Sequence, residues 1–411
     1  MTSTLMSLLA ATALTALTTA TSPAASAGPP IGPSLASTPT VSAATGGALH
    51  APSIDASSAT ILWKGKATPF DSIEIPGAAD KLAAVAKHVD RYAAWVAENG
   101  YAMALTEDAR VLLITSSAKV AKRRLKLVSK TLSVFDEIMP APDRTGSDET
   151  FREGDWGVCE HVPDAGPVVL IELEKGAHYQ ALLGSLEKGD PDMQTWTSVH
   201  ASEPGFDEVR VMAAAWQAAP AGFEVGNVWR SENELVNRLS RMLTYRSFGP
   251  QPTWFNQATA WTVEQSVVGN IYCFPYRQEF VSVGEHSGWS STLKGQFNKR
   301  KKEPLELGEF AGWRRNSWDL NEAALSWGFV QFLAKHKPGS LPALAEANRL
   351  AYKAGFTVDH GDGTWSTNPN FEVPKASQLE TLESIAGEEV LDEASEFFRK
   401  GRRYKPSRKR R

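Results

Sequence analysis

Apolar residues recur every three or four positions from Asp80 to Glu98, where Leu82, Val85, Ala86, Val89, Ala93 and Val96 share one face of a helix. Asn99-Gly100 ends it. Ala118 to Met139 repeats the pattern with Leu125, Val128, Leu132 and Phe135, and Pro140 closes it. Two short apolar runs, Arg110 to Thr115 and Pro167 to Glu172, read as buried strands, and His178 to Leu186 reads as a helix. Glu208 to Trp216 alternates apolar and polar positions like a half-exposed strand. Helical spacing returns over Val228 to Tyr245, Trp254 to Val267 and Trp318 to Leu333. The order predicts an α+β protein: a mixed sheet over about 59–227, then a helical part over about 228–398.

The chain has 411 residues, 42% hydrophobic with 13 Trp, enough for a substantial core. After the N-terminus no run of 18 apolar residues occurs, so the mature chain is expected to have no membrane span. Residues 1–27 read as a secretory signal: Leu5 to Leu17 is the apolar region and Ala25-Ser26-Ala27 the cleavage site before Gly28. The leading Met1-Thr2-Ser3-Thr4 lacks the usual Lys or Arg. A secreted, periplasmic or cell-envelope location follows. Residues 28–58, rich in Pro, Ser, Thr and Ala, hold too little apolar area to fold and read as a disordered linker.

Within the Val228 helix stands Asn233-Glu234-Leu235-Val236-Asn237. In the zinc-peptidase pattern H-E-x-x-H, two His one turn apart hold zinc and the Glu is general base on the bound water. Here both His positions carry Asn. The segment Pro252-Thr253-Trp254-Phe255-Asn256-Gln257-Ala258-Thr259-Ala260 follows, with Gln257 placed 20 residues after Asn237. It resembles the P-x-W-L-x-E-G-x-A segment of gluzincin-type metallopeptidases, in particular the peptidase-MA-like group. In that group the Glu is the third zinc ligand. Trp318 to Leu333 is similar to the group's next helix. The resemblance spans about residues 100 to 395 and implies a zincin-like domain over 59–398. It makes Asn233, Asn237 and Gln257 vestigial ligand positions and Glu234 a retained but idle general-base position. It also implies that Glu208 to Trp216 is the edge to which a peptide would add by backbone hydrogen bonds.

Amides are poor zinc ligands, so zinc is expected to be absent. None of the eight His lies between 201 and 285 and no two stand at i, i+4; His286 is the nearest candidate for a rebuilt site. Cys159 and Cys273 show no metal spacing, and in an oxidising compartment they could form a disulfide or stay buried thiols. There is no G-x-S-x-G, phosphate loop or G-x-G-x-x-G.

Charge is unevenly spread. Residues 399–411 hold nine Lys or Arg and no acid, while the remainder carries 34 Lys/Arg against 47 Asp/Glu, a net charge of −13. Such a basic tail is either solvated or a tether to an anionic envelope polymer, lipid or nucleic acid. Lys299-Arg300-Lys301-Lys302 is a shorter basic run, expected to be an exposed loop. The first reading is an inactive pseudopeptidase holding a peptide or protein partner in its cleft. The alternatives are a hydrolase with unconventional ligands and a structural envelope protein tethered by the tail.

Overall fold

Side chains that alternate across short strands build a seven-stranded mixed sheet, ordered β2-β1-β3-β4-β5-β7-β6. The computed structural model describes residues 59–75, 79–142, 166–190, 193–201, 203, 205–209, 212–218, 230–273, 288–300, 303–312, 320–360, 364–368 and 371–406. The strands are β1 (Thr60–Trp63), β2 (Lys66–Pro69), β3 (Ala102–Leu105), β4 (Val111–Thr115), β5 (Val168–Leu173), β6 (Gly205–Glu208) and β7 (Ala213–Gln217). The pairs β1/β3, β4/β5 and β5/β7 are parallel; β1/β2, β3/β4 and β6/β7 are antiparallel. The expected signal, linker, Cys159 and His286 lie outside the described residues.

The sheet is covered on both faces, which explains the unbroken apolar runs of β4 and β5. One face sends Ile61, Met103, Leu112, Ile114, Val169 and Ile171 toward α1 (Ala79–Asn99), α3 (Gly176–Gly189) and α4 (Gln194–His200). The opposite face sends Leu62, Ala104, Leu113, Leu170 and Trp216 toward α2 (Ala118–Ile138), α5 (Ser231–Phe248) and α6 (Thr253–Val268). Beyond them lie α7 (Trp289–Lys299), α8 (Leu320–His336), α9 (Ser340–Phe356), a hairpin of β8 (Thr357–Asp359) and β9 (Trp365–Thr367), α10 (Lys375–Ala386) and α11 (Val390–Arg399). Edge-to-face rings tie this layer together: Trp261 to Trp289 at 5.1 Å and Trp289 to Trp327 at 5.7 Å. The sheet-then-helices order thus holds, with eleven helices among the described residues.

Two expectations change. Glu208 to Trp216 is not one strand. The chain turns through Val209 and Met212, whose N–H bonds back to the Val209 carbonyl at 3.1 Å while Met212 takes φ 45°. The sheet edge is therefore β6, and the alternating apolar residues of β7 face two cores from inside the sheet. The tail also starts differently. Arg399 ends α11, and 400–406 run along the helical layer, where Tyr404 donates its hydroxyl to Glu137 at 2.6 Å.

A buried ion pair fastens α2 to the sheet. Arg124 donates Nε and Nη2 to the Glu172 carboxylate at 2.8 and 2.6 Å and Nη1 to Glu232 at 2.8 Å. Glu172 also accepts from Ser231, the first residue of α5, whose oxygen takes the Trp216 indole N–H at 2.9 Å. Arg124→Ala is expected to cost about 3–5 kcal/mol by denaturant unfolding, because Glu172 is left charged and buried. Replacing both partners with apolar residues of similar volume is expected to cost much less.

Candidate functional site

The geometry of the site comes from a helix hairpin. α5 stops at Gly249, whose φ of 67° with ψ of −161° is a backbone conformation essentially confined to glycine, and α6 starts at Thr253, so the two helices run back along each other. Leu235, Leu239, Met242 and Leu243, apolar at helical spacing, are buried. So are Asn233, Asn237, Arg238, Ser240, Arg241 and Thr244. α5 is therefore not a surface helix but is enclosed by α2, α6, α9 and the sheet.

Burial obliges polar side chains to find partners. Asn233 and Asn237, one turn apart and both fully buried, turn their amides to a single carboxyl, that of Glu264 on α6. Asn233 Nδ2 donates to Glu264 Oε1 at 2.6 Å, and Asn237 Nδ2 donates to Oε2 at 3.0 Å. The backbone N–H groups of Tyr272 and Cys273 donate to Oε1 at 2.7 and 3.3 Å. Asn233 Nδ2 also reaches Asn270 Oδ1 at 3.0 Å. Burial pushes the Glu264 pKa up to about 8, against the hydrogen bonds from Tyr272, Asn233 and Asn237 that pull it down; the Glu234 charge adds to the rise. The group is thus mainly a neutral acid at pH 7. The Oδ1 atoms of Asn233 and Asn237 have no hydrogen-bond partner, so turning one amide over gives the acid proton an acceptor.

Gln257 is not part of this cluster. It stands two turns before Glu264 on α6, about 10 Å along the axis. It is buried, and neither of its amide atoms has a hydrogen-bond partner. The structure brings Asn233 and Asn237 together on Glu264 and leaves Gln257, the third position that the resemblance implies, outside that cluster. Glu264 was not among the sequence candidates. The available signal was that two buried amides at i, i+4 need an acceptor, and Glu264 is the one acid within α6.

Glu234 faces a different network. Arg238 Nε donates to its Oε2 at 2.8 Å and Arg238 Nη1 donates to Asp207 of β6 at 2.6 Å. Arg241 also pairs with Asp207. Burial alone would lower the Arg238 guanidinium; the charges of Asp207 and then Glu234 outweigh it and hold the group above its ordinary range. These pairs tie the edge strand to α5. Beside them, between β6 and the later turns of α5, lies a cavity of about 170 Å³, lined by residues that include Phe206, Asp207, Arg241, Met242, Tyr245 and Asn256.

Cys273 is a free, buried thiol. Burial pushes it well above the ordinary range, and the charges of Glu234 and Glu264 push the same way. A thiol reagent is expected to leave Cys273 unmodified in the native Cys159→Ser protein and to react fully after denaturation. Labelling in the native state would contradict its burial.

The donor set does not suit zinc. Two amides present N–H groups to an acid, and the remaining carboxylate, Glu234, is paired with Arg238. Among the described residues no group of three or more His, Cys, Asp or Glu side chains gathers as metal ligands. Neither a protein-family model nor a curated protein matches the chain.

Proposed function

We propose that this chain is an exported, zincin-like protein whose metal seat has become a hydrogen-bonded Asn–Glu–Asn clasp, and that it binds an extended peptide or protein segment without cleaving it. The observation that carries the reading is the pair of bonds from Asn233 and Asn237 to Glu264. A helix hairpin, an i, i+4 pair and an acid from the second helix keep the arrangement of a His-His-Glu site, while the chemistry is that of a packed core. Hydrolysis by the family's route needs a metal-bound water and a free general base. Here Glu234 is held by Arg238.

Binding is supported at the sheet edge. Among the described residues no strand pairs with the outer side of β6. An extended segment can add there by backbone hydrogen bonds and place one side chain in the neighbouring cavity. Gly205 lets β6 lie close on β7, where a β-carbon would come 2.4 Å from the Ala215 carbonyl oxygen.

The test is incubation of the mature protein with a library of unstructured peptides. Retention of a subset, unchanged in mass, is the expected result. Asn256→Phe, which fills the cavity beside β6, is expected to weaken retention at least about tenfold, equivalent to roughly 1.4 kcal/mol, while leaving the fold intact by circular dichroism. Cleaved peptides would favour a working hydrolase. No retention at all would leave the structural-envelope reading in its place.

A further inference from the structure

The two basic runs of the sequence, 299–302 and 399–411, are far apart along the chain, yet the fold sets their described parts side by side. α11 packs on α7, and the segment after α11 crosses the ends of α7 and α8. Ser290 Oγ donates to the Gly401 carbonyl at 3.1 Å, and Gly401 lies against the Lys294 side chain. Arg399 donates Nε to the Phe297 carbonyl at 3.4 Å. From α8, Lys335 Nζ donates to the Arg403 carbonyl at 3.2 Å and the Gln331 side chain accepts the Tyr404 N–H at 2.7 Å. These contacts fix the backbone of residues 401–404 and leave their charged side chains outward.

The resulting face carries Lys294, Lys299, Lys335, Lys400, Arg402, Arg403 and Lys405, all exposed. None of the seven forms a salt bridge among the described residues. Nearby acids are already engaged: Glu309 with Arg300, Glu393 with Lys337 and Glu396 with Arg399. His336 reports the local field. Burial first, then the charges of Lys335, Arg402 and Lys400, outweigh Glu393 and hold it below the ordinary imidazole range. Four more cations, Arg408 to Arg411, follow directly in sequence. A body otherwise strongly acidic thus gathers seven exposed cations on one face, assembled from three separate segments.

We infer that this face is a binding surface for a linear phosphate-rich polyanion, and that the surface is composite, made by α7, α8 and the segment after α11 together. Charge complementarity argues for the ligand's sign. Two further features select a polymer over the alternatives. The exposed large hydrophobic residues among those described are Val199 and Leu350, neither on this face, so no wedge is offered to a lipid bilayer. The one aromatic in the tail segment, Tyr404, is half-buried with its hydroxyl tied to Glu137, so no free ring is offered for stacking bases.

The experiment uses the mature protein and three probes: inorganic polyphosphate, vesicles of phosphatidylglycerol and phosphatidylcholine, and duplex DNA. Polyphosphate is expected to bind most tightly, with affinity falling steeply as salt rises. Two variants place the charge reversal on different segments, Lys294→Glu with Lys299→Glu on α7 and Arg402→Glu with Arg403→Glu after α11. Each is expected to weaken binding roughly tenfold or more, with unchanged peptide retention. If the α7 variant binds like the parent while the tail variant does not, the composite surface is refuted and the tail acts alone. Tighter binding to vesicles or to DNA would overturn the polymer assignment. Binding by neither variant nor parent would overturn the inference as a whole.

Discussion

Glu264→Ala is expected to destabilise this protein strongly. It removes the acceptor of four buried donors: the Asn233 and Asn237 amides and the N–H groups of Tyr272 and Cys273. Asn233 keeps Asn270, while the Asn237 amide and the Cys273 N–H lose the one acceptor shown for them. At about 1–3 kcal/mol for each unsatisfied donor, the loss is at least about 2 kcal/mol, a large share of the usual 5–15 kcal/mol of a domain. Glu264→Gln is expected to be mild, because a neutral amide can accept from Asn233 and Tyr272 and donate to the unpartnered Asn237 Oδ1. Denaturant unfolding of the two variants checks both expectations.

The same carboxyl gives a pH signature. Its folded pKa of about 8 lies above the ordinary 4.5, so the folded state holds the proton more tightly. That contribution is complete below pH 4.5 and is lost as pH rises toward 8, at roughly 1.4 kcal/mol per unit. His88 works the other way. Burial first, then Arg91, Arg246 and Lys87, lower it from 6.5 to about 4, so stability is lost as pH falls from 6.5 toward 4. The two slopes oppose each other between about 4.5 and 6.5. Glu264 alone is then visible from about 6.5 to 8, where stability should decline. Glu264→Gln should flatten that decline, and an unchanged slope would place the titrating group elsewhere.

Placing imidazoles at both positions is expected to create a metal site. With Asn233→His and Asn237→His, Glu264 becomes the third ligand of a His-His-Glu set. Zinc should bind in a 1:1 ratio and stabilise the variant by about 4 kcal/mol at a thousandfold excess over Kd. Adding Gln257→Glu should change nothing, because residue 257 is two turns away. Zinc binding that requires the third change would contradict the placement of Glu264. Peptidase activity is not expected to return, since Arg238 still holds Glu234.

Much of the fold was legible where periodicity was long. α1 and α2 kept their predicted faces within a residue or two, and β4 and β5 appeared as short apolar runs because both sheet faces are covered. β1 and β3, four residues each, offer too few positions for a period to emerge. The hairpin of β6 and β7 was hidden because the alternation of Glu208 to Trp216 continues through the turn at Val209 and Met212. At the site, the spacing of Asn233 and Asn237 was readable because it is local. Glu264 lies 31 and 27 residues from them, and its role depends on where the α5–α6 hairpin turns. The resemblance points to Gln257 by counting residues; the fold sets Glu264, not Gln257, against the two Asn side chains. The basic runs were likewise read separately, since sequence gives no sign that α7 and the segment after α11 meet.

We propose that Glu264, held by Asn233 and Asn237, fills the place that a catalytic metal takes in zincins. Elemental analysis of the unmodified mature protein, purified without chelators and assayed in parallel for peptide hydrolysis with added zinc, tests it most directly. The account predicts far less than one zinc per chain, no rise in melting temperature with zinc, and no hydrolysis. One zinc per chain, with hydrolysis that a chelator removes and zinc restores, would contradict it.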